Sequence, residues 1–284
     1  MRFAFAGIDF LGDVFETLIE SGWTPVKLFS RPCDRVYDFN DTTVARARAL
    51  RIPVQTVRIQ PADLAGLSAL RCEALIVAGY PWLIKGWETH LPYAVNFHPS
   101  PLPEARGPYP LFQAVLDQVP EWGMTAHVME PAFDTGAIIA QRLFPTGSDE
   151  THDQLLAKCQ LAAKDIARAL ATDLPALWKA ASPQGAGSYW PRMSAAQRTI
   201  DWTGSVDEIL RTVRAFGTIE SFATVNSRLL HVWAASGWTQ PHSEKPGQLV
   251  HRHRRHLVVA ARDGFVQLTG WSPYPPGAGR EAAR

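Results

Sequence analysis

Short apolar runs alternate with stretches of helical periodicity, and this constrains the first half of the 284-residue chain more than any other feature. The runs are Arg2–Gly7, Pro25–Phe29, Pro53–Val57, Ala74–Ala78 and Ala94–His98. Between the first two, Val14, Phe15, Leu18 and Ile19 recur at helical spacing, with Asp9 placed to cap that helix. Thr42–Arg51 predicts a second helix, and Leu64 and Leu70 lie on a third. Strands joined by helices imply a mostly parallel sheet covered on both faces. A hydrophobic content of 46% is ample for its core.

The fifth run ends in Asn96-Phe97-His98-Pro99. Side chains alternate along a strand, so Asn96 and His98 share one face and Phe97 takes the other. Pro99 cannot donate to a ladder and stops the strand. Two polar groups therefore stand together at a strand's carboxyl end, where open α/β sheets bind ligands. His98 can exchange a proton near neutral pH, and Asn96 carries an amide donor suited to a developing oxyanion. Asp134 lies between a predicted strand, Gly123–Met129, and a turn at Thr135-Gly136. A carboxylate there can orient His98, raise its pKa or hold a water. Spacing alone leaves a blander alternative open, a structural histidine beside an ordinary Asp-Thr-Gly turn.

Other features narrow the classes. Gly7 and Gly12 do not make G-x-G-x-x-G, so a Rossmann-like sheet is expected without the dinucleotide fingerprint. Cys33, Cys72 and Cys159 are far apart, which argues against a disulfide framework or a zinc site and makes a reduced cytoplasm the expectation. The start of the chain has no basic leader, and no apolar run approaches a membrane span. Residues 1–189 carry 16 basic against 20 acidic side chains, a net of −4, whereas residues 190–284 carry 12 against 7, a net of +5. His251-Arg252-His253-Arg254-Arg255-His256 is the one dense basic run, either a phosphate contact or a solvated hairpin tip. Its histidines are too close together for a metal site.

Asn96-x-His98-x-Ser100-x-Leu102-Pro103, then Arg106-Gly107, then Asp134-x-Gly136 after Gly123-x-Thr125, resembles the 10-formyltetrahydrofolate-dependent formyltransferases. The likeness covers most of the chain and is greatest to methionyl-tRNA formyltransferase and its sugar-nucleotide relatives. Pro101 departs from the leucine usual in the family. The resemblance implies that Asn96, His98 and Asp134 are catalytic. In this reading an acceptor amine attacks the formyl carbon of 10-formyltetrahydrofolate. Asn96 and a protonated His98 stabilise the oxyanion, and Asp134 supports His98 and a water. The donor is a co-substrate, and no metal is implied. Gly79–Ile84 resembles the family loop that holds the pterin, which implies Val77, Tyr80, Trp82 and Leu83 as folate-binding. Phe10, Arg106 and Tyr109 are the acceptor-side candidates.

Glu150–Lys179 predicts a long helix packed on the sheet, with Leu155, Leu156, Leu161, Ile166 and Leu170 as apolar positions. Ser182–Ser188, rich in Pro, Gly and Ser, reads as a linker. The short strands beyond it, with a hairpin turn at Asp263-Gly264, fit the small OB-like β-barrel that the family carries. The expected division is a catalytic domain 1–181, a bridge 182–202 and a C-terminal domain 203–284. The acceptor is expected to be a small amine, such as an amino sugar nucleotide or an amino-acid-derived metabolite, because Ser30–Asp41 has two arginines against three aspartates and makes a poor phosphate clamp. Methionyl-tRNA is the alternative acceptor. A nicotinamide dehydrogenase and a non-catalytic nucleic-acid-binding protein are the remoter classes: one lacks its fingerprint, and the other leaves Asn96, His98 and Asp134 without a task.

Overall fold

The computed structural model describes residues 1–33, 38–219 and 221–274. The apolar runs form one sheet. β1 (Arg2–Gly7), β2 (Thr24–Phe29), β3 (Val54–Gln55), β4 (Ala74–Ala78) and β5 (Tyr93–His98) are its parallel strands. β6 (Glu121–Val128) runs antiparallel to β5, and β7 (Ile138–Pro145) antiparallel to β6. The strand order is β3-β2-β1-β4-β5-β6-β7. It reverses direction between β1 and β4, which is the arrangement that opens a crevice at the carboxyl ends of the strands. β4 is buried at every position, as a parallel strand covered on both faces must be.

α1 (Gly12–Glu20), α2 (Asp41–Ala49) and α3 (Pro61–Ala69) connect the first strands. Asp9 corrects one expectation. Its carboxylate caps α2, accepting from the backbone N–H groups of Thr42 (3.0 Å) and Thr43 (2.9 Å), and leaves α1 uncapped by that side chain. Sequence adjacency pointed to the nearer helix, whereas the fold brings the start of α2 back over the first turn. α3 is capped by Asp63, which accepts from the N–H of Gln60 (2.8 Å) and from Lys27 Nζ (3.2 Å) on β2.

α4 (Pro110–Leu116) follows the motif loop. α5 (His152–Lys179) is interrupted at Asp173, whose φ of −158° and ψ of 74° are not helical, two residues before Pro175. Proline lacks the N–H that the ladder needs there, and the Asp173 carboxylate restarts the helix by accepting from Ala176 N (3.0 Å). Cys159, Ile166 and Leu170 form the buried face of α5. Leu161, expected in that face, is 65% exposed because it lies on the opposite side of the helix.

The chain forms two compact units. Among the described residues, one comprises those of Met1–Pro110, Glu121–Pro145 and Leu156–Trp190; the other comprises Leu111–Pro120, Thr146–Leu155 and the described residues from Pro191 onward. The second unit holds α6 (Val206–Phe216) and five antiparallel strands, β8 (Phe222–Val225), β9 (Arg228–Thr239), β10 (Leu249–His253), β11 (His256–Ala260) and β12 (Gly264–Pro273). They pair in the order β10-β11-β12-β9-β8. Register shifts flank Gly270 in β12, and such bulges bend a sheet. Ile209 and Val213 of α6 fill its core with Val232, Val259, Val266 and Leu268. Among the described residues no helix is long and apolar enough to cross a membrane.

Candidate active site

The site is assembled where β5 ends between β4 and β6. Asn96 is in register with Val77 on one side and with His127 on the other, and His98 with Thr125. Register partners share a face of the sheet, so Asn96, His98, Thr125 and His127 all project to the same side. The chain leaves β5 at Pro99 as expected. Its new path is pinned from β6: Trp122 Nε1 donates to Pro99 O (3.0 Å) and Thr125 Oγ1 to Ser100 O (2.7 Å).

Asp134 arrives over these residues on the turn between β6 and β7. Its φ of 58° is left-handed, a conformation that Asp and Asn adopt more readily than other side chains. Gly136 is required two residues later, because a Cβ there would stand 1.8 Å from Val128 O. The turn can therefore lie flat on the end of β6. Asp134 is 8% exposed. Its Oδ1 is 3.4 Å from His98 Nδ1, and its Oδ2 accepts the Gly107 N–H (3.1 Å).

The ring nitrogens of His98 have distinct tasks. Nε2 stands 3.0 Å from Ala105 O, a pure acceptor, so Nε2 carries the proton. In the neutral ring Nδ1 is then the basic nitrogen, and it faces Asp134. Burial pushes the proton affinity of His98 down, against the opposing pull of Asp134 and Ala105. A cation formed on Nδ1 meets a carboxylate. Burial alone would push the Asp134 carboxyl up; His98, His127 and the Gly107 N–H outweigh it and hold that group below the usual carboxylate range.

Asn96 is oriented by a residue that the sequence reading placed on a strand but gave no role. His127 Nδ1 lies 2.7 Å from Val128 O and so holds the proton, leaving Nε2 as an acceptor. Asn96 Nδ2 donates to that nitrogen at 3.0 Å, and its second hydrogen points toward Asp134 Oδ1 at 3.5 Å. Flipping the amide would set two lone pairs against each other. The signal for His127 was available, since it alternates with Thr125 and faces Asn96 once β5 and β6 are paired. Of these four side chains Asn96 is the one left partly exposed.

The binding candidates are placed less uniformly. Val77 and Tyr80 belong to a buried core cluster, and the Tyr80 hydroxyl accepts from Ile59 N (2.9 Å). Trp82 packs edge-on to Tyr80 at 5.1 Å, and Trp82 and Leu83 are half-buried. Phe10 lies beside this loop, its Cδ1 3.5 Å from where a Cβ on Gly79 would sit. Tyr109 is 38% exposed, two residues beyond the Gly107 that holds Asp134. The Arg106 guanidinium donates to Gln184 Oε1 (3.1 and 2.8 Å) and to Gly185 O (3.1 Å). Among the described residues no group of three His, Cys, Asp or Glu could hold a metal ion. In the loop after β2, residues 34–37 of the sequence-stretch 30–41 lie outside the described residues. Of the others, Arg31 is paired with Asp38.

A family model described as "Formyl transferase" matches residues 41–169, and one described as "Formyl transferase, C-terminal domain" matches residues 192–273. A methionyl-tRNA formyltransferase of Nitrosospira multiformis is 31% identical over 273 residues, which is 92% of this chain and 87% of the relative. Two solved structures share the fold. The N-formyltransferase from Helicobacter canadensis, in complex with folinic acid and dTDP-3-aminofucose, matches with a TM-score of 0.70 at 15% identity, covering 96% of this chain and 99% of that one. HypX from Aquifex aeolicus, in complex with tetrahydrofolic acid, matches with a TM-score of 0.68 at 18% identity; 97% of this chain is covered, but only 44% of HypX.

Proposed function

This chain belongs to the formyltransferase family, and on that premise we propose that it moves the formyl group of 10-formyltetrahydrofolate to a primary amine at Asn96, His98 and Asp134. The observation that carries the reading is the orientation of the buried His98 ring, with Nε2–H tied to a carbonyl and basic Nδ1 turned to a buried carboxylate. When bound, the donor supplies an activated formyl carbon. Half-buried Trp82 and Leu83 suit it by offering apolar surface to a planar ring, on the loop that leaves β4 next to Asn96.

His98 Nδ1 takes the proton that the amine loses as it bonds to the formyl carbon. The same nitrogen returns that proton to the donor nitrogen as its bond to the formyl carbon breaks. Asp134 stabilises the imidazolium in between. The second Asn96 hydrogen, held only at 3.5 Å from Asp134, turns to the developing oxyanion. Neither step requires a covalent bond to the protein.

For the acceptor we favour a small amine, lying near Phe10, Arg106 and Tyr109. The pairing of Arg31 with Asp38 supports this, because it neutralises within the loop a charge that a phosphate clamp would need. A second reading, methionyl-tRNA, is favoured by the Nitrosospira relative. The test is formylation from 10-formyltetrahydrofolate with initiator methionyl-tRNA and, in parallel, a dTDP-linked 3-amino sugar. Turnover of the sugar supports the first reading; salt-sensitive turnover of the tRNA alone replaces it with the second. 5-Formyltetrahydrofolate should raise the melting temperature, and a crystal complex with the folate on the antiparallel sheet would overturn the placement of the donor.

A further inference from the structure

We propose that Gln184 is a positioning residue for this reaction: its amide closes a ring of hydrogen bonds, through Arg106 and Gly107, that fixes Asp134 against His98. The inference rests on the reading of Asn96, His98 and Asp134 above and assigns a role to a residue outside it.

Gln184 lies in the Pro- and Gly-rich stretch that reads from sequence as a linker, yet that stretch is held along its length. Ser182 exchanges two backbone hydrogen bonds with Ile138 of β7 (2.8 and 3.0 Å). Arg106 N donates to Ser188 O (3.0 Å), and Trp190 N to Arg106 O (2.7 Å). Trp190 also stacks on Trp122 with ring centroids 5.5 Å apart. Between these anchors Gln184 Nε2 donates to Asp134 O (3.0 Å) and to Gly136 O (2.7 Å). Its Oε1 accepts Nε and Nη2 of Arg106. The ring then closes, because the N–H of Gly107, the residue after Arg106, donates to Asp134 Oδ2.

Asp134 is thus gripped at both ends, its backbone carbonyl by Gln184 and its carboxylate by Gly107. The grip falls on a residue in the left-handed region, a conformation that persists only where surroundings impose it. Only an amide side chain suits position 184, since two hydrogens must be given to carbonyls and two accepted from a guanidinium. Glutamate would keep the bonds from Arg106, lose both donors and set a carboxylate against two carbonyl oxygens. Arg106 enters through its Nε and Nη2 as the brace of Gln184.

The test compares Q184E and Q184M with the wild type and H98A, using 10-formyltetrahydrofolate with initiator methionyl-tRNA and a dTDP-linked 3-amino sugar as parallel acceptors. Misplacing a supporting group by about 1 Å can slow catalysis on the order of a hundredfold. Both variants should lower kcat roughly tenfold or more while KM for the folate stays within about twofold, as loss of a transition-state alignment predicts. A reading that needs no acceptor is NMR titration of the His98 imidazole. The groups facing His98 are Asp134, His127 and the Ala105 carbonyl, and withdrawal of Asp134 should lower its apparent pKa in both variants. Q184M, uncharged and of similar shape, serves if Q184E does not fold. Wild-type kcat and an unmoved His98 titration in Q184M, with H98A inactive, would discard the role of Gln184 and leave the His98 reading standing. An active H98A would remove the reading itself.

Discussion

Two histidine-rich stretches of this molecule behave in opposite ways. Asn96–Gly136 buries His98, His127 and Asp134, each within hydrogen-bond or ion-pair distance of another of them or of Asn96. His251–His256 is denser in charge, but all six residues are exposed on the β10–β11 hairpin. The first stretch contains the chemistry proposed above; the second is arranged as water would arrange it. Charge density along a sequence therefore does not locate a reaction centre. The useful sign is a polar side chain forced into a sheet interior, because desolvation there obliges every donor and acceptor to find a partner.

The largest way to break this contrast is to remove the buried groups. H98A, N96A and D134A should each lose on the order of a hundredfold or more in kcat while remaining folded. Replacing Arg252 and Arg255 with alanine should leave kcat for a small acceptor within about twofold, since solvated side chains at a hairpin tip contribute little. Comparable losses from both sets, measured with the same acceptor, would erase the distinction.

The pH profile sharpens it. Burial lowers the proton affinity of His98, so its pKa in the fold lies below the value of about 6.5 for a free imidazole. The neutral ring is the active base in the proposed reaction. Lowering the pH through the folded pKa protonates Nδ1, and kcat should fall about tenfold per unit on that limb, with its midpoint below 6.5. Stability follows the same sign. The unfolded chain takes up a proton on this histidine first, so the folded state loses stability as pH falls from about 6.5 toward the folded pKa. A kcat that instead falls as pH rises through the titration of His98 would show that His98 acts as an imidazolium.

How much of this was legible in the sequence depends on the range of the interaction. β1, β4 and β5 were readable because a buried parallel strand is continuously apolar over its whole length. Asn96, His98 and Asp134 were readable from the motif that surrounds them. His127 was visible only as a strand residue, because its role depends on the register between β5 and β6. Gln184 was not legible: its partners are two backbone carbonyls about fifty positions away and the still more distant Arg106 guanidinium, and Pro, Gly and Ser around it suggested a free linker. Asp9 showed the same limit, since nothing local indicates that its carboxylate caps α2.

A smaller test lies at the start of α6, in the unit that holds the exposed hairpin. Ser205 Oγ accepts from Glu208 N (3.2 Å), Glu208 Oε2 accepts from Ser205 N (2.6 Å), and Asp263 Oδ1 accepts from Val206 N (2.8 Å). Each side chain satisfies a donor that the helix cannot. S205A and D263A should each destabilise by about 1 kcal/mol, read from chemical denaturation. Neither should change kcat at a temperature where the protein is folded, in contrast to D134A.

The smallest effect is expected at the hairpin tip itself. Arg254 has a φ of 53° and sits in the two-residue turn between His253 and His256, which pair across the ladder. A left-handed conformation costs a β-carbon-bearing residue about 1 kcal/mol that glycine does not incur. R254G should therefore stabilise the hairpin by a few tenths to about 1 kcal/mol and raise Tm slightly, offset by the greater backbone freedom of glycine in the unfolded chain. Its effect on turnover separates the two acceptors. With a small amine, kcat/KM is unchanged, and Arg254 is only a strained residue in a solvated turn. With methionyl-tRNA bound over this hairpin, R254G loses kcat/KM and flattens the salt dependence, because one fewer cation displaces counterions from the phosphate backbone. Gain of stability with loss of kcat/KM would mean that the exposed run is kept for a polyanion, and the contrast between the two stretches would become one between chemistry and recognition.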